Sequence, residues 1–436
     1  MTVTTQGPMA GDARRETGAA AATAVAKRGR PSRRVDKRAA LLDGATALFN
    51  ARGIAATSLG DIAEAVGLSR ATLYYYVDDR AGLVFQCYWR ACELTADDLA
   101  AAADAPNGFE RTLAFVRRAL TIARSVSAVL SEINYLPVAQ ADTVRAANDR
   151  NVAALIGFIE EGTADGSIRN CDCEVIAQSI IGILSWANLS PQWVMGPRGR
   201  SFRARLLVTM EDLLRHGVAR DRSGGFSCDI DAKAFLSGPF NAFDRRQAAE
   251  MKTEQLLVAA SRLFNRNGIE GTSLDEIVAS LGASKGALYH YLRDKDDLIA
   301  RCYERAFALF EAFADTASAR TGSGLERALV GIHLNTQAQA GPLSPLMPQP
   351  GLDALPQALR VNLAARGKRL NTRLSQLLRT GRADGSSRPC DSLIVAQIGA
   401  GAFGWLPKWL APDDSRTPRA LADEISNFYF QGIATA

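Results

Sequence analysis

The chain has 436 residues, 47% hydrophobic and 22% charged, which is the composition of an ordinary globular protein with room for two or three domains. Its net charge of +5 is concentrated at the N-terminus, where residues 1–38 carry nine Lys and Arg against three acids. This distribution indicates a polyanionic partner for the N-terminal stretch.

Cysteine and histidine spacing argues against a structural metal or a disulfide framework. The seven cysteines contain no CxxC pair and have no metal-ligand spacing with the three histidines. The most apolar stretch, residues 175–187, is too short to span a bilayer and contains polar residues. No paired carboxylates, nucleophile elbow or phosphate-binding loop is found. We therefore expect a cytoplasmic protein that is not an enzyme and uses no cofactor, metal or membrane.

The chain begins with a basic arm, which is followed by two copies of one sequence unit. Residues 1–35 lack apolar periodicity and are predicted to be disordered. Residues 38–88 and 253–303 align without a gap at an offset of 215, with 21 of 51 positions identical. Later matches, such as Ala164–Ser167 with Ala383–Ser386, follow at an offset of 219. A period this long indicates two copies of a whole domain pair rather than a solenoid.

Helical periodicity begins at Asp36, where apolar residues share one helix face up to Gly53. Ser58 with Asp61, and Ser273 with Glu276, have the spacing of a capping box at the start of a second helix. A third short helix follows Gly67 (Gly282), and long amphipathic helices start near Arg80 and Lys295. Since no run of alternating strands appears, the predicted fold is all-α.

We predict six segments. They are the basic arm (1–35), a first helix-turn-helix module (36–82), a first helical ligand-binding and dimerisation domain (83–219), a linker (220–246), a second helix-turn-helix module (247–297) and a second helical domain (298–436). Five prolines between Gly341 and Pro356 predict an irregular loop on the ligand side of the second unit.

A helix-turn-helix module inserts one short helix into the major groove of DNA. The candidate reading helices are residues 70–76 and 285–291. Leu73, Tyr74 and Tyr76 recur in the second copy as Leu288, Tyr289 and Tyr291 and are expected to face the core, whereas the differing positions are expected to be exposed. This pattern fits two readers of different half-sites, although sequence drift at exposed positions explains it as well.

The run Gly-x3-Thr-x-Leu-x2-Ile-x4-Gly-x-Ser-x3-Leu-Tyr-x-Tyr-x2-Asp-[Lys/Arg]-x2-Leu occurs in both halves and resembles the N-terminal domain of TetR-type (tetracycline-repressor-like) transcriptional regulators. The second copy, with Gly286, His290 and Lys295, is closer to the common pattern than the first, with Ala71 and Arg80. The resemblance implies a helical ligand-binding domain behind each module. It also implies pairing through the last two helices into a four-helix bundle, and release of DNA when a small molecule binds.

Candidate DNA contacts come from the arm and from both modules. Lys27–Arg34 resembles an AT-hook core, which places arginines in a narrow minor groove, although plain phosphate tethering fits equally. Phosphate contacts that fix the position of the protein on the DNA are expected from Thr57, Thr272, Arg80 and Lys295. The alternative is that these residues are plain helix caps or solvated surface charges. The full set is Lys27, Arg28, Arg30, Arg33, Arg34, Thr57, Ser69, Arg70, Ala71, Thr72, Tyr74, Tyr75, Tyr76, Arg80, Thr272, Ser284, Lys285, Gly286, Ala287, Tyr289, His290, Tyr291 and Lys295.

The ligand-binding prediction rests on Trp186, Trp193, Trp405 and Trp409. These residues resemble the Trp-rich penultimate helix of family members that respond to acyl-CoA or other lipid-like effectors. Aromatic residues at helical spacing are also typical of a core or a dimer interface. The predicted partners are thus double-stranded DNA and a small, apolar or acyl-CoA-like effector.

Three functions are compatible with the sequence. The leading one is a ligand-responsive repressor whose single chain forms a pseudo-dimer and reads an asymmetric or imperfect palindrome. In the second, one module is idle and chains pair as a homodimer. The third is a helical ligand carrier or enzyme that no longer binds DNA.

Overall fold

A computed structural model of the chain describes residues 33–121, 127–189, 200–236, 244–283, 286, 291–349 and 355–435. In the first unit the helices are α1 (Arg33–Arg52), α2 (Leu59–Ala65), α3 (Arg70–Tyr74), α4 (Arg80–Ala102), α5 (Gly108–Leu120), α6 (Val138–Asp165), α7 (Cys173–Leu189) and α8 (Arg200–His216). In the second they are α9 (Arg245–Asn267), α10 (Leu274–Ser280), α11 (Lys295–Ala319), α12 (Gly324–Ala340), α13 (Gln357–Ala383), α14 (Ser392–Gly404), α15 (Leu406–Trp409) and α16 (Pro418–Gln431). Within these ranges the fold is all-α, as predicted, with two isolated β-bridges in place of a sheet.

Local sequence determines where the helices begin. Ser58 and Ser273 accept a hydrogen bond from the third residue of α2 and α10, and the side chains of Asp61 and Glu276 bond back to the cap, so both predicted capping boxes are confirmed. The helices α4 and α11 begin at the predicted Arg80 and Lys295. The helix α1 begins at Arg33, three residues before the predicted start of the first module at Asp36. None of the described helices is long and apolar enough to cross a membrane.

Each helical body is held together in the same way. Asp165 at the end of α6 accepts a hydrogen bond from the backbone amide of Gly108 at the start of α5 (3.0 Å), and Asp384 does the same for Gly324 (2.7 Å). These bonds satisfy amides at a helix N-terminus and place a negative charge where the helix dipole favours it. The repeated Asp therefore closes the same contact in both units.

The predicted linker is largely packed. Residues 220–236 run against α12 and α16 of the second unit, with Phe226 and Cys228 buried. The amide of Phe226 donates to Asn427 (2.7 Å) and the amide of Ala232 to Gln337 (3.0 Å). The stretch includes one short 3-10 helix, Ala232–Phe235, and side chains of the second unit satisfy further backbone groups, such as the amides of Phe226 and Ala232.

The two units meet through equivalent helices in a reciprocal arrangement. The amide of Arg169 donates to the carbonyl of Ile433 (2.8 Å), and the amide of its repeat counterpart Arg388 donates to that of Val218 (3.0 Å). The β-bridges Ile168–Ala434 and Ala219–Ser387 are related in the same way. Contacts exchanged in this fashion join equivalent, non-identical surfaces of the two units within one chain.

At the centre of this interface α7 crosses α14 at two repeat-equivalent glycines. A Cβ on Gly182 would lie 2.5 Å from the carbonyl oxygen of Gly401, and one on Gly401 would lie 2.6 Å from Cα of Ile183. The backbones therefore approach more closely than any other residue type allows.

We predict that Gly182→Ala lowers the free energy of unfolding by about 1–3 kcal/mol, because the added methyl overpacks the crossing. Gly157→Ala in α6 is the matched control, since nothing lies within 4 Å of a Cβ there. That control is expected to be neutral or to stabilise by up to ~1 kcal/mol through helix propensity. Urea denaturation of the full chain measures both, and equal effects would contradict the assigned close approach.

Candidate functional site

The first reading helix presents a compact exposed face. Ser69 caps α3 by accepting a hydrogen bond from the amide of Thr72 (3.1 Å), and Leu73 anchors the helix in the core of the module. Ser69, Arg70 and Ala71 are exposed, and the guanidinium of Arg70 lies against Gly60 at the start of α2. The N-terminal half of α3 is thus open to a partner.

The expected core orientation of Tyr74 is wrong. Its side chain is 57% exposed, and Tyr75 is 67% exposed, whereas Leu73 and Val77 are buried. A helix of five residues presents only one side to the core, and Leu73 occupies that side. Tyr76 is half-buried, and Tyr75 packs edge-on against it (ring centroids 5.6 Å apart). Tyr74 and Tyr75 therefore extend the exposed face started by Arg70.

The residues expected to contact phosphates are used inside the fold. Thr57 and Thr272 are buried, and each hydroxyl donates to the carbonyl four residues earlier, that of Gly53 or Gly268 (both 2.8 Å). These bonds hold the turn between the first two helices, so the structure assigns the two threonines to that turn and not to a phosphate.

Arg80 likewise connects the module to the rest of its unit. Its Nε donates to the hydroxyl of Tyr135 (2.7 Å), and Nη1 donates to the carbonyl of Ala55 (3.0 Å). In the second unit Lys295 lies 4.0 Å from the carboxylate of Glu270. Neither cation projects freely from the surface.

Several predicted contacts lie outside the described residues. They are Lys27, Arg28, Arg30, Ser284, Lys285, Ala287, Tyr289, His290 and Trp193. Of Arg33 and Arg34 only the helical backbone is described. Gly286 is exposed with open space around it, and Tyr291 is half-buried against the core, as predicted.

Each helical body contains a cavity at an equivalent place. The cavity of the first unit, about 110 Å³, lies between α4, α5, α6 and α7. That of the second unit, about 140 Å³, lies between α11, α12, α13 and α14 and is mostly apolar. Trp405 of the second unit lines the first cavity, and Trp186 of the first unit lines the second. Each cavity is therefore completed by the other unit. Trp409 lines neither cavity.

A hydrogen-bonded loop joins each cavity to its module. In the first unit the side-chain amide of Asn50, near the end of α1, donates to the carbonyl of Ser127 (2.9 Å) and accepts from the amide of Val129 (3.2 Å). In the second unit Asn265 makes the equivalent pair with Pro345 and Met347 (both 2.9 Å). Val129 and Met347 line the two cavities, so these hydrogen bonds connect each cavity wall to the first helix of its module.

Two oppositely charged residues, the buried Glu132 and the half-buried Lys408, lie between the two modules. The carboxylate of Glu132, in the loop before α6, accepts from the amide of Ile54 (3.3 Å) in the first module and lies close to Gly268 in the second. Lys408 of α15 donates to the carbonyls of Ser131 (2.6 Å) and Arg266 (3.2 Å). Desolvation raises the pKa of Glu132 and lowers the pKa of Lys408 to about 8, while their mutual attraction opposes both shifts.

Comparison with known proteins identifies both parts of each unit. The family model described as "Bacterial regulatory proteins, tetR family" matches residues 41–87 and 256–302. The model described as "Tetracyclin repressor-like, C-terminal domain" matches residues 111–221 and 327–433. The chain belongs to the TetR family. It carries two complete copies of the family's two-domain subunit in tandem.

The curated relatives match over short stretches of the chain. The "HTH-type transcriptional regulator AcrR" of Shigella flexneri is 37% identical over 59 residues, which is 14% of this chain and 27% of that protein. The "Transposon Tn10 TetC protein" of Escherichia coli is 35% identical over 65 residues, covering 15% and 33%. Thus the match spans about a third or less of these relatives' length.

Two solved structures are similar to part of this chain. Apo AibR is 24% identical over 40% of this chain and 96% of its own, with a TM-score of 0.34. The structure titled AibR in complex with isovaleryl coenzyme A and operator DNA is 26% identical over 41% and 97%, with a TM-score of 0.35.

Sequence reasoning missed the residues that join the parts of this TetR-family chain. Asn50 and Asn265 had a signal, since they are identical at the repeat offset, but an identical residue inside a helix is easily attributed to packing. Glu132 and Lys408 had no such signal in the sequence, because these two residues lie 276 positions apart.

We predict that Asn50→Leu accelerates hydrogen exchange at the amide of Val129 at least tenfold, since that amide loses its buried acceptor. The free energy of unfolding should fall by about 1–3 kcal/mol. Asn265→Leu is the matched control, because it removes the equivalent bond to Met347 and leaves Val129 protected. Hydrogen-exchange mass spectrometry or NMR resolves the two amides. Unchanged protection at Val129 in Asn50→Leu would refute the role of Asn50.

The lowered pKa of Lys408 predicts a distinct pH dependence of stability. Between about pH 8 and the ordinary value of 10.5, the unfolded chain retains the proton of Lys408 and the folded chain has lost it. Stability therefore rises with pH across this window, relative to Lys408→Met, because the unfolded state binds more protons. Urea unfolding at pH 7.5, 9 and 10 measures this difference. The exposed Lys368→Met is the control, and profiles of wild type and Lys408→Met that stay parallel would contradict the prediction.

Proposed function

We propose that this TetR-family chain is a ligand-responsive transcriptional repressor whose single chain forms a pseudo-dimer and reads DNA with two unlike modules. The observation that carries the proposal is the reciprocal interface between α7 and α14, which joins two family subunits within one chain. Ordinary two-fold assembly requires two chains. Here the second subunit is already attached, so one chain supplies both modules.

The exposed face of α3 supports direct reading of DNA. Arg70, Tyr74 and Tyr75 are exposed, and Ala71 beside them leaves the N-terminal end of the helix uncrowded. Arginine forms bidentate hydrogen bonds with guanine in the major groove, and such a contact discriminates between bases by about 1–3 kcal/mol. The repeat places Lys285 where the first unit has Arg70. Different residues at this position favour different half-sites, about 34–36 Å apart on the duplex.

The cavities and their loops support regulation by a small molecule. An effector that is apolar or acyl-CoA-like would bury its chain in a helical body and press on the loop held by Asn50 or Asn265. Because that loop is bonded near the end of the first helix of a module, its displacement would turn the reading helix away from the groove. Trp186 and Trp405 would sense the effector across the interface. Release of DNA by the effector then makes the protein a repressor whose genes are induced.

The basic arm would add affinity on one side only. Lys27, Arg28, Arg30, Arg33 and Arg34 precede the first module, whereas only Arg245 and Arg246 precede the second. Arginines in a minor groove next to one half-site would strengthen the asymmetry of the operator. Such a regulator works in the bacterial cytoplasm and on the nucleoid when it is bound.

We predict that Arg70→Ala and Lys285→Ala weaken binding to different halves of the operator, each by roughly 5- to 150-fold at its own half. The operator is obtained by selecting genomic fragments with the purified chain and footprinting the best one. Duplexes carrying two copies of either half are then tested by fluorescence anisotropy at fixed salt, since phosphate contacts make affinity strongly salt-dependent.

The mass of the complex provides the companion test. One chain per operator with two unlike halves is the expected result. Two chains on a perfect inverted repeat, or equal losses at both halves in the two variants, would favour a homodimer with one idle module. Failure to bind any genomic fragment even at low salt would favour a ligand carrier.

A further inference from the structure

The two cavities differ in chemistry although their walls are equivalent. Lining positions of the two cavities correspond at repeat offsets of 215 to 219. The polar Thr95, Asn148 and Asn151 of the first cavity correspond to Phe310, Gly367 and Leu370 of the second. In the opposite sense, Ala119 and Val152 correspond to Asn335 and Asn371. The described lining of the first cavity contains no charged residue, whereas that of the second contains two arginines.

One of these arginines, Arg327, forms no direct ion pair with any residue that the structure describes, although the carboxylate of Asp384 lies near it. Its buried Nε has no hydrogen-bond partner, although it lines the cavity. Asp384, whose pKa it helps to lower, bonds instead to the amide of Gly324 and to Ser386. The other arginine, Arg373, is occupied by Asp315 (2.7 Å) and Ser318 (3.3 Å).

The first unit shows how the equivalent arginine is normally satisfied. Arg111 forms an ion pair with Glu161 and does not line the first cavity. The residue that corresponds to Glu161 in the second unit is Thr380, so the acid is missing there. Arg327 is half-buried and its buried Nε lacks a partner, so an anion that enters the cavity would supply the missing hydrogen bond.

We propose that the cavity of the second unit binds a molecule with an apolar body and a single carboxylate, and that Arg327 receives the carboxylate. The apolar body lies among Phe307, Phe310, Ile332 and Phe403. Guanidinium binds carboxylate through charge-assisted, often bidentate, hydrogen bonds, and the first turn of α12 adds a favourable helix dipole. The first cavity, which is neutral and more polar, does not take this ligand.

The proposal deepens the proposed function, on which it rests for its regulatory meaning. Met347 and Pro348 line the second cavity, and Asn265 binds the backbone of that loop. The carboxylate ligand therefore acts on the second module, while Trp186 extends the wall from the first unit. One chain would then bind the carboxylate ligand in the cavity of the second unit and a different ligand in the cavity of the first unit.

The test is isothermal titration calorimetry of the full chain with sodium octanoate. We expect one site per chain, and octan-1-ol, which lacks the charge, should bind more weakly. Arg327→Gln should weaken octanoate by roughly tenfold to hundredfold through loss of the charge-assisted bonds. Arg111→Gln is the matched control at the repeat-equivalent position and should leave the octanoate affinity unchanged.

A second variant fills the cavity without touching the arginine. Gly331 faces open space, with Ala317 at 4.0 Å from a built Cβ, and its counterpart in the first unit is Phe115. Gly331→Phe should therefore abolish octanoate binding, and thermal unfolding verifies that the variant is folded.

Three results would overturn the assignment. They are two equal octanoate sites per chain, unchanged octanoate affinity in Arg327→Gln, and tighter binding of octanoyl-CoA than of octanoate. Since the titration contains no DNA, its outcome is independent of the operator experiments. A chain that binds octanoate but no operator would refute the proposed function alone, and a chain that binds its operator but no octanoate would refute the ligand alone.

Discussion

The close crossing of α7 and α14 at Gly182 and Gly401 is the contact on which the arrangement of the molecule depends. Because neither helix carries a side chain at this point, the two backbones come within reach of each other's carbonyl oxygens. The approach brings Trp186 across the interface, where its indole nitrogen donates to the carbonyl of Gln397 (2.9 Å). It also places each Trp in the wall of the opposite cavity. The same contact thus connects the two units and completes both cavities.

Covalent linkage removes the requirement that the interface between the two units be self-complementary. Between separate chains an isologous interface must be self-complementary, so both halves carry one sequence. Within a chain the partner is present at high effective concentration, and the two halves are free to diverge. Divergence is visible in the residues around the two cavities and at the junction of the modules. Glu132 of the first unit lies against Gly268 of the second. The equivalent contact, from the second unit to the first, is not found among the contacts of the described residues.

Buried polar contacts connect each cavity loop to the first helix of its module. Asn50 and Asn265 each use both ends of the side-chain amide on backbone groups of a cavity loop. Such contacts are directional and costly to break, so they fix the loop against the helix. Tyr88 and Tyr303 add a further bond in each unit by accepting from the amides of Glu132 and Gln349. The two units retain this connection even where their cavity walls differ.

Features that depend on neighbouring residues could be predicted from the sequence. Capping boxes, the Ser69 cap, the starts of α4 and α11, the all-α class and the duplication all follow from spacings of a few residues or from an internal alignment. Helix caps and amphipathic periods are local, so their physical causes lie within the segment that displays them. The irregular loop after Gly341 was predictable for the same reason, since its prolines exclude a helix.

Only the tertiary structure shows which side chains are exposed to a partner and which are bonded within the fold. Thr57 and Arg80 are suitable phosphate ligands by type, but the fold directs them to Gly53 and Tyr135, and Tyr74 faces outward because Leu73 fills the core. Residues 220–236 are bonded by side chains of the second unit, and Arg327 lines a cavity and has Thr380 where the first unit has Glu161. For Arg80 and for residues 220–236 the deciding partner lies outside the local segment. Burial and charge pairing depend on which distant segments meet, and a single sequence does not contain that information in its local spacing.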